Sequence, residues 1–285
     1  MSICYLDGSY QPLAEARISP MDRGFLFGDG AYEVIPAYSR RPFRIAEHIV
    51  RLGRTLDAVR IPNPHPAAEW ETIVRELVAR NAWDDQSIYL HVSRGPDARR
   101  NHAFPVVARP TVFLMSEALV TPPADVLARG VAAVSAADFR WARCDLKTTA
   151  LLANCLLRQV AVDKGCAETV LFRDGFLTEG AASNIFIVRD GVLLAPPKSH
   201  LMLPGITYDV VLELAARHGL EHAVREILED EVRTADEVWL TSSTKEVLAI
   251  TSLDGRPVGD GKPGPVGRAM LAWYQDFKNK VMRGD

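Results

Sequence analysis

Two Asp-Gly pairs close together in the second half of the chain, Asp174-Gly175 and Asp190-Gly191, constrain the fold more than any other feature. Each follows a short apolar run, Glu168–Phe172 in the first case and Ile185–Val188 in the second. Asp-Gly tolerates the positive φ of a two-residue hairpin turn, so the two pairs predict antiparallel β-hairpins. That pattern argues against a doubly wound nucleotide fold. The glycine motifs agree: Gly28-Asp-Gly30 is not a G-x-G-x-x-G fingerprint, and no G-x-x-x-x-G-K-[ST] stretch occurs.

At 285 residues the chain suits two domains or one large one. Residues 1–118 read as a small α+β domain. It has a turn at Asp7-Gly8, a strand over Glu33–Tyr38, and a helix face of Ile49, Leu52, Leu56 and Val59 that ends before Pro62. Trp70, Ile73, Val74 and Leu77 mark a second helix. Ile88, Leu90 and Val92 alternate with Tyr89, His91 and Ser93 in a strand paired with Thr111–Met115. Residues 119–124, with Pro122-Pro123, read as a linker, and 125–285 as a larger domain. There Leu151–Val162 is a strongly apolar helix, expected to be buried. Val210, Val211, Leu214 and Ala215 form a helix face capped by Gly219, and Pro265 opens a closing helix to Phe277.

A net charge of -3 gives no long-range attraction to nucleic acid or an anionic membrane. The start of the chain carries no secretory pattern, and no apolar run is long enough to span a bilayer, so a cytoplasmic setting is expected. Cys4, Cys144, Cys155 and Cys166 form no C-x-x-C pair and no zinc-like spacing; reduced thiols and no metal site are expected.

Only seven of the 33 basic residues are lysines, and the first along the chain is Lys147, at the edge of an apolar run. An amine kept there suits attack on a carbonyl, although a lysine snorkelling from a helix start reads equally well from this segment alone. Leu203-Pro-Gly205-Ile206-Thr207 precedes the Val210 helix, whose first N–H groups make a ready anion site; Thr207 as a plain N-cap is the competing reading. Thr241-Ser-Ser243-Thr244 follows an apolar strand and offers further hydroxyls. Glu179 reads either as the partner of a protonated ring nitrogen or as a solvated turn acid. The polar loop Arg94–Pro105 between two strands is a natural place for substrate contacts.

These blocks, in this order, resemble the class IV pyridoxal-phosphate aminotransferases, the group of D-amino-acid and branched-chain aminotransferases. The likeness rests on Asp22-Arg-Gly-Phe-Leu-Phe-Gly28-Asp-Gly30-Ala-Tyr32-Glu33, Glu47-His-Ile-Val-Arg51-Leu52 and Arg143-Cys-Asp-Leu-Lys147. It continues through Leu177-Thr-Glu179-Gly-Ala-Ala-Ser-Asn184, Leu203-Pro-Gly-Ile-Thr207 and Thr241-Ser-Ser-Thr244. The resemblance implies a two-domain α+β fold of type IV, a pyridoxal 5'-phosphate cofactor and a homodimer with the active site at the subunit interface. It implies Lys147 as the lysine that bonds to the cofactor, and Arg51, Ile206, Thr207, Ser243 and Thr244 as phosphate contacts. Glu179 would partner the ring nitrogen, and Leu203 would pack against the ring.

Arg100-Asn101-His102 resembles the Arg-x-His of D-amino-acid aminotransferases, whose side chains reach the substrate carboxylate across the dimer interface together with a tyrosine, here Tyr32. The stretch from Arg94 to Arg100 is one residue longer than the usual D-type pattern, which leaves Arg99 as a contender for the place of Arg100. The implied activity is ping-pong transfer of an amino group from a D-amino acid of the D-alanine type to a 2-oxo acid such as 2-oxoglutarate. A branched-chain L-amino-acid aminotransferase, an aminodeoxychorismate lyase and an (R)-amine transaminase remain open alternatives.

Overall fold

The computed structural model describes residues 2–284, so Met1 and Asp285, the outer limits of the two expected domains, lie outside the described residues. The chain divides into two compact units. One contains the chain up to Val120, the segment Leu146–Leu151 and the last residues from Lys280; the other contains Thr121–Asp145 and Leu152–Asn279.

The first unit is built on a six-stranded antiparallel sheet of β1 (Ile3–Leu6), β2 (Ser9–Pro12), β3 (Gly30–Tyr38), β4 (Arg41–Pro42), β5 (Gln86–Ser93) and β6 (Thr111–Ala118), in the order β2-β1-β6-β5-β3-β4. Its helices are α1 (Arg23–Phe27), α2 (Ile45–Ala58) and α3 (Ala67–Arg80). The alternation in β5 sends Ile88, Leu90 and Val92 to one face, where they are buried with Leu52 and Leu56 of α2 and Trp70 and Leu77 of α3. Burying each such large apolar side chain is worth about 1.5–3 kcal/mol relative to leaving it exposed.

The segment carrying Lys147 lies along the edge of β3. Tyr32 N–H donates to Lys147 O at 2.9 Å, and Thr149 N–H donates to Gly30 O at 3.0 Å. Those backbone bonds bind 146–151 to the first unit, although sequence placed it in the C-terminal domain. The change of unit after Val120 falls within the 119–124 segment read as a linker.

The second unit holds α4 (Ala124–Arg129), β7 (Val131–Ala137), α5 (Leu152–Asp163), β8 (Glu168–Arg173), β9 (Phe176–Gly180), β10 (Asn184–Arg189) and β11 (Val192–Ala195). After these come α6 (Ile206–Arg217), β12 (His222–Val224), α7 (Glu229–Arg233), β13 (Glu237–Ser242), β14 (Glu246–Leu253), β15 (Arg256–Pro257) and α8 (Pro265–Phe277). The strands form one nine-stranded sheet in the order β12-β11-β10-β13-β14-β7-β8-β9, with β15 on β14.

Both Asp-Gly pairs form the expected tight turns, Asp174 and Gly175 at φ +53° and +82°, Asp190 and Gly191 at +49° and +79°. They link the antiparallel pairs β8/β9 and β10/β11. The sheet is mixed, however: β7/β8 and β11/β12 run parallel because α5 and α6 carry the chain back across it, and β14/β7 is also parallel. The expected burial of the 151–162 helix is corrected. Only Leu157 and Ala161 of α5 are buried, while Leu152 is 75% and Leu156 53% exposed. An apolar pattern all round a helix does not reveal which stripe packs, and here one stripe faces β7 and β8. Gly219, at φ +67°, follows the C-terminus of α6 as expected. Among the described residues no helix is long and apolar enough to cross a membrane.

Candidate active site

Lys147 stands at the centre of a tight turn beside β3, with Thr148 N–H donating to Leu146 O at 2.9 Å, rather than at a helix start, so the snorkelling reading fails. Its Nζ lies 4.1 Å from the centroid of the Tyr32 ring, a cation–π contact that holds the amine over the sheet. Its backbone N–H donates to Thr55 Oγ1 at 3.4 Å, and Thr55 Oγ1 donates to Arg51 O at 3.1 Å. The fold of this unit thus brings Lys147, Tyr32 and the α2 turn bearing Arg51 together.

Glu33 follows Tyr32 and therefore points to the opposite face of the sheet, into the side covered by α2. Fully buried there, it accepts from Arg51 Nε at 2.8 Å and Nη2 at 2.7 Å, and meets His48 Nδ1 at 2.8 Å. Burial pushes the Glu33 carboxyl up, but Arg51 and His48 outweigh it and hold the pKa at about 2. Burial likewise pushes the His48 pKa down, against the pull of Glu33. Among the described residues His48 Nε2 is buried without a hydrogen-bond partner. The guanidinium read as a phosphate contact is thus already oriented by a carboxylate.

The Arg94–Pro105 loop carries Arg100 and His102, both exposed. They meet at one ring: the Arg100 guanidinium carbon is 5.0 Å, and the His102 ring 5.4 Å, from the centroid of Phe27. Arg99 is also exposed.

In the second unit Glu179 on β9 is buried, so the solvated-acid reading fails. Its Oε1 accepts from Arg140 Nη1; its Oε2 accepts from Leu203 N–H at 3.1 Å and Asn184 Nδ2 at 3.3 Å. Arg140 is shared: Nε and Nη2 each donate to Asp138 at 2.9 Å. Burial, helped by the nearby Asp138 charge and opposed by Arg140, pushes Glu179 up to about 7. Asp138 also resists burial, but Arg140, with Arg173, keeps its pKa below the ordinary value. A buried carboxyl with such affinity for a proton suits a group that shares one with a ring nitrogen.

Gly205 caps the N-terminus of α6 and no side chain does, so Thr207 is not the N-cap. A Cβ at Gly205 would sit 2.2 Å from Asn184 Oδ1, so the close approach needs glycine. Asn184 donates to Leu203 O at 2.9 Å and pairs across the sheet with Thr241. Among the described residues the Thr241 hydroxyl is buried without a hydrogen-bond partner. Ser243 and Thr244 occupy the half-buried turn after β13, where Ser242 Oγ accepts from Lys245 N–H at 3.0 Å and Lys245 Nζ reaches Glu168 at 3.2 Å. Uncapped helix N–H groups, an orphaned hydroxyl and a proton-holding carboxyl on one sheet face fit a phosphorylated pyridine ring.

Glu33, His48, Asp138, Arg140 and Asn184 received no individual role from sequence, and Thr241 was read only as one of a cluster of hydroxyls. For Glu33 a signal existed, since it shares strand parity with the core residues Ala31 and Ile35. Asp138-Phe-Arg140 carries no periodic signal and becomes a site only through the sheet.

A profile described as amino-transferase class IV matches residues 30–253. The D-alanine aminotransferase of Bacillus licheniformis is 37% identical over 260 residues, 91% of each chain. That of Staphylococcus haemolyticus is 34% identical over 277 residues, covering 97% of this chain and 98% of its own. Among solved structures, a T.th. branched-chain amino acid aminotransferase with pyridoxamine 5'-phosphate matches at TM-score 0.88 and 27% identity, covering 96% of this chain and 93% of its own. The Escherichia coli branched-chain amino acid aminotransferase matches at TM-score 0.89 and 25% identity, over 99% and 95%. The expected two-domain α+β fold of type IV is the fold these enzymes share with this chain. By the extent of the profile match and the identity to near full-length relatives, the chain belongs to the class IV aminotransferase family.

Proposed function

We propose that this protein moves the amino group of a D-amino acid, of the D-alanine type, to a 2-oxo acid such as 2-oxoglutarate, with pyridoxal 5'-phosphate as cofactor. The gathering of Arg100 and His102 on Phe27 carries the D-amino-acid part, since it presents a guanidinium fork and an imidazole to one carboxylate. The identity to D-alanine aminotransferases over nearly the whole chain supports the same substrate class.

The cofactor supplies a carbonyl for the amino group and an electron sink for bond breaking at Cα. The protein's own groups do the rest. Lys147 Nζ would hold the cofactor and would carry a proton to and from the substrate Cα. Glu179, itself held by Arg140, Asn184 and the Leu203 N–H, would partner the ring nitrogen and favour its protonated form, and the Leu203 side chain would line the place of the ring. The Ile206 and Thr207 N–H groups, the Thr207, Ser243 and Thr244 hydroxyls and Arg51 hold the phosphate. Tyr32, Arg100 and His102 bind the substrate carboxylate, with Arg100 preferred to Arg99 because it shares the Phe27 ring with His102. The active form is a homodimer with the active site at the subunit interface. Exposed Phe25, Val106 and Val107 in the first unit support a second copy as their cover. Four free cysteines support a cytoplasmic setting.

The test is pyruvate formation from D-alanine. The proposal expects continued turnover only when 2-oxoglutarate is present; without it pyruvate stops at one per cofactor. Pyruvate from aminodeoxychorismate without an acceptor indicates the lyase instead, and turnover of L-leucine in place of D-alanine indicates a branched-chain enzyme. That second reading is favoured by the likeness to the branched-chain enzymes in fold.

A further inference from the structure

Arg100 and His102 sit in an exposed loop, and a pair that must meet a carboxylate needs a fixed pose. The fixing element is buried beside it. Arg23 opens α1 and is only 3% exposed. Its Nη1 donates to Asn101 O at 2.5 Å and Ala103 O at 3.2 Å, and its Nη2 to His102 O at 3.2 Å. One planar guanidinium thus spans three consecutive carbonyls around His102.

The remaining Nε–H of Arg23 donates to Asp29 Oδ2 at 2.8 Å. Asp29 in turn accepts from Arg94 Nε at 2.8 Å and Nη2 at 2.9 Å. Arg94 is 2% exposed and also donates to Val59 O and Arg60 O, just past the end of α2. The line of contacts runs from α2 through Arg94, Asp29 and Arg23 to the loop. Phe104 closes it, its ring centroid 3.6 Å from the Arg94 guanidinium carbon.

The base of the loop is tied as well. Gly95 O accepts from Arg23 N–H at 3.0 Å, and Asp97 N–H donates to Met21 O at 3.4 Å. A Cβ at Gly95 would fall 1.7 Å from Arg109 O, so the two ends of the loop touch at a point that admits only glycine. Between the ties at Asp97 and Asn101 stand Arg99 and Arg100. The Arg23 guanidinium carbon is also 4.9 Å from the Phe27 centroid, on the ring that Arg100 and His102 use. Two buried arginines are costly for a loop of this exposure. A purely structural anchor is achieved more simply by apolar packing.

We propose that Arg23 is the positioning residue that sets the pose of Arg100 and His102, with Asp29 and Arg94 holding Arg23 in turn. This rests on the D-amino-acid reading above. The holoenzymes of wild type, R23Q, R23K, R100A and R23Q/R100A are compared with D-alanine and 2-oxoglutarate. The expected result for R23Q is a KM for D-alanine raised about tenfold or more, with kcat within about twofold and cofactor retention unchanged. In the double variant KM rises by less than the product of the two single effects, because Arg100, one of the two groups that R23Q displaces, is already gone. If R23Q does not fold, R23K decides: it keeps the ion pair with Asp29 but cannot span three carbonyls, so KM rises several-fold at an unchanged Tm.

A fall in kcat and cofactor retention as large as the rise in KM overturns the proposal, as do multiplying effects in the double variant. An unchanged KM in folded R23Q or R23K, with a raised KM in R100A, overturns the role of Arg23 while the carboxylate trap stands. An unchanged KM in R100A overturns the trap and this proposal together. Absence of D-alanine turnover in wild type overturns the functional reading itself.

Discussion

Glu33 in the first unit and Glu179 in the second are both buried carboxylates facing an arginine, yet they take opposite protonation behaviour. Glu33 has Arg51 on both of its oxygens and His48 on one. It is a fixed anion. Glu179 shares Arg140 with Asp138, so one guanidinium serves two acids, and burial prevails for the one with fewer charged partners. The comparison teaches that an arginine beside a buried acid does not settle its charge; how many acids draw on that arginine does. The first arrangement orients a side chain, and the second keeps a proton available.

The largest expected effect comes from breaking the fixed anion. Glu33→Gln removes the buried carboxylate charge that Arg51 and His48 meet and is expected to cost about 3–5 kcal/mol of stability, measured by denaturant unfolding of the cofactor-free protein. A loss below about 1 kcal/mol would make Glu33 no more than a polar core residue. Next, Glu179→Gln is expected to lower kcat by about a hundredfold, as for loss of one preorganised group at a reacting centre, with far less effect on unfolding. If the Glu179→Gln enzyme turned over at the wild-type rate, the ring-nitrogen role would fall.

The two acids also predict opposite pH windows for stability. The folded pKa of Glu33 is depressed, so its contribution is present above the ordinary 4.5 and is lost as pH falls through about 2. The folded pKa of Glu179 is raised, so its contribution is complete below 4.5 and is lost as pH rises through about 7. Cofactor-free Glu179→Gln should therefore lack the stability decline that the wild type shows between these values; Tm against pH in both proteins reads it. The smallest effect is a refinement. Asp138→Asn leaves Arg140 to Glu179 alone and should lower the Glu179 pKa from about 7, moving that decline to lower pH. A shift upward would contradict the shared-arginine account.

What was legible in the sequence follows the range of the forces involved. Turns are local, so Asp174-Gly175 and Asp190-Gly191 read directly, and periodicity placed β5, α2 and α3. The attachment of 146–151 to β3 was not legible, because it consists of backbone hydrogen bonds between segments far apart in sequence. The exposed stripe of α5 escaped for a related reason: composition reports how apolar a helix is, whereas packing decides which side is used. In the site, residues within ordered motifs could be named in advance. Asp138, Arg140 and Arg23 act through contacts made only on folding, and Arg23 lay inside a quoted motif without a visible task.

The most direct test of the D-amino-acid assignment is a half-reaction without acceptor. Purified holoenzyme is mixed separately with D-alanine and with L-leucine, and the cofactor's absorbance is followed. The account predicts that D-alanine alone converts the aldehyde-derived band to that of the amine form, with one pyruvate released per cofactor. Conversion by L-leucine alone would leave the family intact and contradict the Arg100–His102 carboxylate trap.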